Sequence, residues 1–191
     1  MRHLALLSLL FPMTAMASPP ATSLPKIGSC PSGYHTSGNS CSPGSSARVA
    51  VPKTGACPSG YYTSGRYCLA SGERSRHAIA KSGSCPSGYY TSGSYCLESG
   101  AKTKVSRSTS PAPIPKIGPC PSGYFTSGKY CKPSSGSARF ALGKTGPCPS
   151  GYYTSGTYCL ASSPRAKHAM PKTGACPSGY YTSGTYCLAN R

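Results

Sequence analysis

Lys53-Thr54-Gly55-Ala56-Cys57-Pro58-Ser59-Gly60-Tyr61-Tyr62-Thr63-Ser64-Gly65-Arg66-Tyr67-Cys68 is one of six versions of a single unit in this chain. The cysteines recur as Cys30/Cys41, Cys57/Cys68, Cys85/Cys96, Cys120/Cys131, Cys148/Cys159 and Cys176/Cys187, each pair enclosing ten residues. A lysine stands four positions before the first cysteine of every pair: Lys26, Lys53, Lys81, Lys116, Lys144 and Lys172. A fixed period of this kind marks a repeat architecture, in which each unit is one small supersecondary element.

Turn residues set the expected local structure. Cys57-Pro58-Ser59-Gly60 puts Pro at i+1 and Gly at i+3, which predicts a type I turn. Tyr61 to Cys68 then reads as two short strands around a three-residue Thr-Ser-Gly loop, with glycine in the left-handed position. In that register Tyr61 faces Tyr67, and Tyr62 lies on the other face with Cys68. Arg48-Val49-Ala50-Val51 and His77-Ala78-Ile79-Ala80 alternate weakly and predict a third strand. The Gly, Pro and Ser content argues against any long helix after the N-terminal segment.

Working outward, the repeats group into two similar blocks. Leu24-Pro25-Lys26-Ile27-Gly28 matches Ile114-Pro115-Lys116-Ile117-Gly118, Ser46-Ala47-Arg48 matches Ser137-Ala138-Arg139, and Arg76-His77-Ala78 matches Lys167-His168-Ala169. The expected organisation is a three-repeat module over residues 24–100, a Ser/Thr/Pro/basic linker over 101–113 and a second three-repeat module over 114–191. Repeat 1 departs from the pattern, with His35 and Ser40 where other repeats carry aromatics. A terminal repeat with one face in solvent accounts for that.

The N-terminus reads as an address. Arg2 and His3 precede an apolar run from Leu4 to Phe11, and Ala15-Met16-Ala17 supplies a small-x-small cleavage signal. Residues 1–17 are therefore expected to be a signal peptide, residues 18–23 a flexible N-terminus, and the mature chain secreted or periplasmic. The apolar run is about half of the roughly 20 residues a membrane span needs, so no transmembrane segment is expected.

From Ser18 onward only sixteen Leu, Ile, Val, Phe and Met residues remain. Such a chain cannot build an ordinary core and needs covalent staples. Twelve cysteines in an exported chain supply them, and each unit carrying its own two cysteines points to pairing within the repeat. The fold class is thus small, disulfide-rich and mainly β: six tandem cysteine-stapled hairpins.

Charge and chemistry bound the function. Twenty Lys and Arg stand against two acids, Glu73 and Glu98; losing Arg2 with the signal peptide leaves 19 − 2 = +17. One repeat apart and with no aspartate for company, these acids offer no general acid–base pair and no Ser-His-Asp arrangement. Zinc sites favour close C-x₂₋₄-C pairs, which are absent. No enzymatic activity, cofactor or metal is expected.

The surplus of positive charge suits acidic polysaccharide, lipopolysaccharide or extracellular nucleic acid. All fifteen tyrosines lie inside the repeats. The first and third of each repeat are expected in the core. The middle position, with Tyr62, Tyr90, Phe125, Tyr153 and Tyr181, is the candidate aromatic contact face, and the six in-register lysines are the candidate polyanion contacts. The leading expectation is an exported, non-catalytic protein binding an anionic or glycan polymer at the cell surface. The alternative is a structural or adhesive matrix protein of Tyr/Lys-rich repeats with no specific ligand.

Overall fold

The computed structural model describes residues 22–72, 75–100, 111–136 and 138–190. The expected signal peptide, residues 18–21 of the N-terminus, residues 101–110 of the linker and Glu73 lie outside the described residues.

Every described regular element is a strand. Repeat 1 contributes β1 (Leu24–Pro25), β2 (Tyr34–Ser37) and β3 (Ser40–Pro43); repeat 2 β4 (Ala50–Pro52), β5 (Tyr61–Ser64) and β6 (Tyr67–Ala70); repeat 3 β7 (Ala78–Ala80), β8 (Tyr89–Ser92) and β9 (Tyr95–Glu98). Repeat 4 contributes β10 (Ile114–Pro115), β11 (Tyr124–Ser127) and β12 (Tyr130–Pro133); repeat 5 β13 (Ala141–Gly143), β14 (Tyr152–Ser155) and β15 (Tyr158–Ala161); repeat 6 β16 (Ala169–Pro171), β17 (Tyr180–Ser183) and β18 (Tyr186–Ala189). Each repeat forms its own antiparallel sheet of three strands. The second hairpin strand is central, as in the order β4-β6-β5. The expected third strand is present, shifted to end on Pro52 in repeat 2 and spanning Ala78–Ala80 in repeat 3.

Two local expectations are corrected. The first turn runs Pro58-Ser59-Gly60-Tyr61, closed by the Tyr61 N–H on the Pro58 carbonyl at 3.0 Å. Gly60 has φ of 83°, the value a type II turn needs at its third residue, so the turn is type II and one residue later than expected. The hairpin loop is also shorter. Ser64 pairs with Tyr67, leaving Gly65-Arg66 as a two-residue connection. Gly65 has φ of 60° and Arg66 stays at negative φ, the pattern of a II′ turn, whose twist matches that of the flanking strands. Tyr61 is therefore opposite Ala70 and Tyr62 opposite Leu69. The sheet face carrying Tyr61 is that of Cys68, and the face carrying Tyr62 is that of Tyr67.

All twelve cysteines pair within their own repeat, as Cys30–Cys41, Cys57–Cys68, Cys85–Cys96, Cys120–Cys131, Cys148–Cys159 and Cys176–Cys187, with Cα separations of 5.4–5.5 Å. Each bridge ties the segment before the hairpin to the central strand. The two cysteines of a pair are not equivalent, as their even spacing alone would suggest. Cys41, Cys68, Cys96, Cys131, Cys159 and Cys187 sit on the central strands and are only 0–2% exposed. Cys30, Cys57, Cys85, Cys120, Cys148 and Cys176 precede the turns and keep partial exposure. The second cysteine is thus a core residue as well as a staple, because the central strand is covered by strands on both sides and by the next sheet.

Covalent closure replaces the missing aliphatic core, and the remaining burial comes from stacking sheets on one another. Cys68, Tyr61 and Ala70 of repeat 2 pack on Ala78, Tyr95 and Leu97 of repeat 3. In the same way Leu24 and Cys41 of repeat 1 pack on Tyr67 and Leu69 of repeat 2. Cys131 joins the equivalent cluster between repeats 4 and 5, and Cys159 the one between repeats 5 and 6.

The third tyrosine of each repeat locks the stack. The Tyr67 hydroxyl donates to the Pro25 carbonyl at 2.7 Å and accepts from the Ile27 N–H at 3.0 Å, both in the preceding repeat. Tyr95, Tyr130, Tyr158 and Tyr186 repeat this contact on repeats 2, 3, 4 and 5. Tyr130 makes it across the linker, so the junction between the two blocks is built like those within them.

The chain closes on itself. A serine N–H after the first cysteine of each repeat meets the Oγ of the serine before the hairpin glycine of the next: Ser32 to Ser64, Ser59 to Ser92, Ser87 to Ser127, Ser122 to Ser155 and Ser150 to Ser183. The sixth member runs from Ser178 in repeat 6 to Ser37 in repeat 1, at 2.6 Å. Asn39 Nδ2 adds a bond to the Thr173 carbonyl at 2.8 Å. The six sheets thus form a closed cycle, each packed face to face on the next. Radial repetition of this type leaves only short, protected sheet edges. Adjacent sheets approach along their edge strands, β1 with β4 and β4 with β7, so these lie toward the axis and the first hairpin strands lie outward.

Closure overturns the solvent-facing explanation for repeat 1. Ser40 and Ser42, in the places of Tyr67 and Leu69, are only 3% and 4% exposed. Their face is covered by repeat 6. This seam lacks the tyrosine lock, and the Ser42 hydroxyl is buried without a partner, a cost of about 1–3 kcal/mol. The seam therefore replaces the tyrosine lock with polar contacts from Asn39 and Ser37.

Candidate functional site: aromatic and basic grooves at the sheet junctions

The type II turn and II′ hairpin fix which rings are available. Tyr67, Tyr95, Tyr130, Tyr158 and Tyr186 are fully buried, and Tyr61, Tyr124 and Tyr152 nearly so. Tyr34, Tyr89 and Tyr180 are half-buried. Tyr62, Tyr90, Phe125, Tyr153 and Tyr181 are 40–43% exposed, all at the second position of the outer strand. His35 takes that place in repeat 1 and is exposed too. The five expected contact aromatics therefore form a row around the outer rim, one on each of five sheets.

The in-register lysines lie elsewhere. All six are exposed, but each backbone N–H bonds the carbonyl at the hairpin tip of its own repeat, as Lys53 does to Arg66 at 2.9 Å. That places them two to three residues along the strand from the exposed ring. The cations over the rings come from other positions. Arg76 stands 5.5 Å from the Tyr90 ring centroid, Lys167 5.4 Å from that of Tyr181, and Lys132 6.0 Å from that of Phe125. A sequence signal did exist, because Arg48, Arg76, Arg139 and Lys167 all stand two residues before the strand alanine. Pro111 holds that place in repeat 4, and there Lys132, directly opposite Phe125 in the hairpin, takes over the role.

The junction between repeats 2 and 3 opens as a groove of about 610 Å³ lined by Ser59, Gly60, Ser71, Ser75, Arg76 and Tyr90. The backbone turns of one sheet form one wall, and the aromatic–cation pair of the next forms the other. Arg76 is steadied by a bond to the Glu98 carbonyl at 3.3 Å, and Arg48 by a bond to the Ser71 carbonyl, one position further along the repeat, at 2.9 Å. At the next junction Lys132 Nζ reaches Ser87 Oγ at 3.3 Å. Ser87 corresponds to Ser59, so the same serine position meets a cation delivered from a different strand.

Where no short connector follows the repeat, the first tyrosine pairs instead with a histidine of its own repeat. In repeats 1, 2, 4 and 5 the first tyrosine donates to a carbonyl just ahead of the next repeat's edge strand: Arg48, Arg76, Arg139 and Lys167, at 2.8–2.9 Å. In repeats 3 and 6 the Tyr89 and Tyr180 hydroxyls lie 3.2 and 3.1 Å from Nδ1 of His77 and His168. Burial holds both imidazoles below the usual histidine range, with Glu98 partly opposing it at His77. Burial raises the phenols likewise, Tyr34, Tyr61 and Tyr152 to about 12.

The folded state keeps His168 neutral, whereas the unfolded chain takes up a proton near pH 6.5. The stability His168 contributes is present above about pH 6.5 and is lost as pH falls below it. Thermal unfolding is expected to shift downward between about pH 7 and pH 5, and a His168→Gln variant should show a flatter profile over that interval. Equal slopes for the two proteins would contradict the assignment.

Among the described residues no three His, Cys, Asp or Glu side chains come together, and every cysteine is in a disulfide, leaving no thiolate to hold zinc. Among the described residues, no helix is long and apolar enough to cross a membrane. Six formed disulfides fit an oxidising, extracytoplasmic setting. No protein-family model, curated protein or solved structure matches this chain.

Proposed function

We propose that this chain is an exported, non-catalytic repeat protein that binds an anionic or glycan polymer at the cell surface. The carrying observation is the row of exposed aromatic rings on the outer rim, with a cation held over Tyr90, Phe125 and Tyr181. A ring offers a stacking face to sugars or bases, and the cation adds attraction to anionic groups. Repetition around a closed, stapled cycle pre-pays the ordering of the sites, so weak units add by multivalency. The net charge of +17 on the mature chain, 19 − 2, steers any polyanion toward this surface.

Titration of the oxidised mature protein with DNA, lipopolysaccharide, and acidic and neutral glycans tests the reading. Binding is expected to weaken steeply with salt, as for counterion release. Absence of binding to all four, at low salt, would refute it. A structural or adhesive role is the second reading, favoured by the exposed phenols of Tyr62, Tyr90, Tyr153 and Tyr181, which are open to oxidative coupling. Dityrosine fluorescence in native material would support it.

A further inference from the structure

We propose that the rim groove between repeats 2 and 3, with the ring–cation pairs at Phe125 and Tyr181, supplies subsites for an acidic polysaccharide, each taking one sugar face on the ring and one anionic group on the adjacent cation. This rests on the polymer-binding reading above and names its site and ligand class.

At the junction of repeats 2 and 3 the groove sets the Tyr90 ring and the Arg76 guanidinium against Ser59, Gly60, Ser71 and Ser75, a wall that is mainly apolar, with the Ser75 hydroxyl already donating to the Gly60 carbonyl at 2.9 Å. An exposed phenol ring and an apolar wall suit the apolar face of a pyranose, with the guanidinium beside it for an anionic group. Arg76 already sits over the Tyr90 ring and bonds one carbonyl, so it is oriented to receive a carboxylate or sulfate without further ordering. The replacement of the missing repeat-4 cation by Lys132, reaching the same serine position, places a ring and a cation together at that junction as well.

Charge spacing argues the same way. Stacked sheets stand about 10 Å apart, and farther at an outer rim, so ring–cation pairs on neighbouring sheets, such as those of Tyr90 and Phe125, are separated by at least that length. A nucleic acid strand in a duplex carries a phosphate about every 3.4 Å of axis and would bring several per groove. Nucleic acid readers answer that density with a continuous basic track. Among the described residues the groove between repeats 2 and 3 holds one cation, Arg76, beside Ser and Gly, which fits a polymer with one anionic group per few sugar units.

The test compares polygalacturonate and heparin as acidic glycans with dextran and single-stranded DNA, using the oxidised mature protein. We expect binding to at least one acidic glycan in preference to dextran and DNA. Replacing Tyr62, Tyr90, Phe125, Tyr153 and Tyr181 together by Ala should weaken it on the order of 100-fold or more through lost multivalency. The Tyr90→Phe exchange should keep wild-type affinity, since the stacking face survives. Arg76→Gln with Lys132→Gln and Lys167→Gln should cost about tenfold or more, against about threefold or less for Lys53→Gln with Lys81→Gln and Lys144→Gln, as these register lysines have no ring beneath them. All these positions are exposed or half-exposed, and unchanged unfolding temperatures verify the folds. Preference for DNA, or rim variants that bind acidic glycan like wild type, would overturn the inference while leaving polymer binding in place. Failure to bind any of the four overturns both.

Discussion

Reduction and alkylation of the six disulfides is expected to unfold the protein completely, without denaturant. Each bridge closes a loop with a sequence separation of 11, worth about 3 kcal/mol in the chain-entropy treatment. Six such bridges exceed the roughly 5–15 kcal/mol by which natural domains are stable. No aliphatic core is left to compensate, because the buried set consists of tyrosines, cysteines, prolines, small residues and at most two leucines per sheet. The disulfides also form part of the junctions. Cys68 Sγ lies 3.4 Å from the Tyr95 hydroxyl, Cys96 Sγ 3.9 Å from that of Tyr130, Cys131 Sγ 3.5 Å from that of Tyr158 and Cys159 Sγ 3.5 Å from that of Tyr186. Cys187 belongs to repeat 6, and the repeat that follows it in the cycle carries Ser40 in the tyrosine's place. Loss of the near-ultraviolet tyrosine signal and an expanded hydrodynamic radius would report the collapse. A reduced chain that keeps both the signal and the compact radius would mean that stacking alone holds the cycle.

The second large effect is expected from the tyrosine lock. Tyr158 is 1% exposed and packs with Tyr124, Ala141 and Leu160 between repeats 4 and 5. Its hydroxyl donates to the Pro115 carbonyl at 2.9 Å and accepts from the Ile117 N–H at 2.8 Å. Tyr158→Ala removes ring and bonds together and should cost about 3–5 kcal/mol. Tyr158→Phe keeps the ring but strands two backbone groups, and should cost about 1–3 kcal/mol. Denaturant midpoints of the two variants separate packing from hydrogen bonding. Should Phe be as stable as Tyr, the hydroxyl would be incidental to the junction.

These two results bear on how the cycle holds together. Five junctions carry a tyrosine lock, and the sixth carries Ser40 with Asn39 and Ser37 instead. Repeats 6 and 1 therefore meet at the one junction without a tyrosine lock. The buried, unpartnered Ser42 hydroxyl sits at the same place. An opened cycle would therefore part between repeats 6 and 1, while the other junctions keep their locks.

Much of this was legible from the residues. Cysteine spacing announced six units and pointed to pairing within each, since every unit carries its own two cysteines, but the interval alone left other connectivities open. Spacing did not announce that Cys96, Cys159, Cys187 and their counterparts are buried while their partners are not, since that depends on which strand becomes central. Alternation at Val49–Val51 and Ala78–Ala80 announced the third strand. The second-position aromatics stood out as the variable and hence outward members, and they are the exposed ones. Turn chemistry misled by one residue at each end of the hairpin, because Pro58-Ser59-Gly60 and Ser64-Gly65-Arg66 each satisfy more than one turn type. A single-residue slip then exchanged the partners of every tyrosine.

What the sequence by itself determined is what short range decides: covalent loops of fixed length, glycine where the backbone must turn left, and too little aliphatic matter for any core but a stapled one. Only the tertiary structure decided which face of each sheet meets its neighbour, that repeat 6 returns to repeat 1, and that the cations beside the rings are Arg76, Lys132 and Lys167 rather than the lysines in register. Those outcomes depend on sheets meeting across whole repeats, as Ser178 meets Ser37 from the far end of the chain. No local propensity acts over such separations, and packing alone selects the partner.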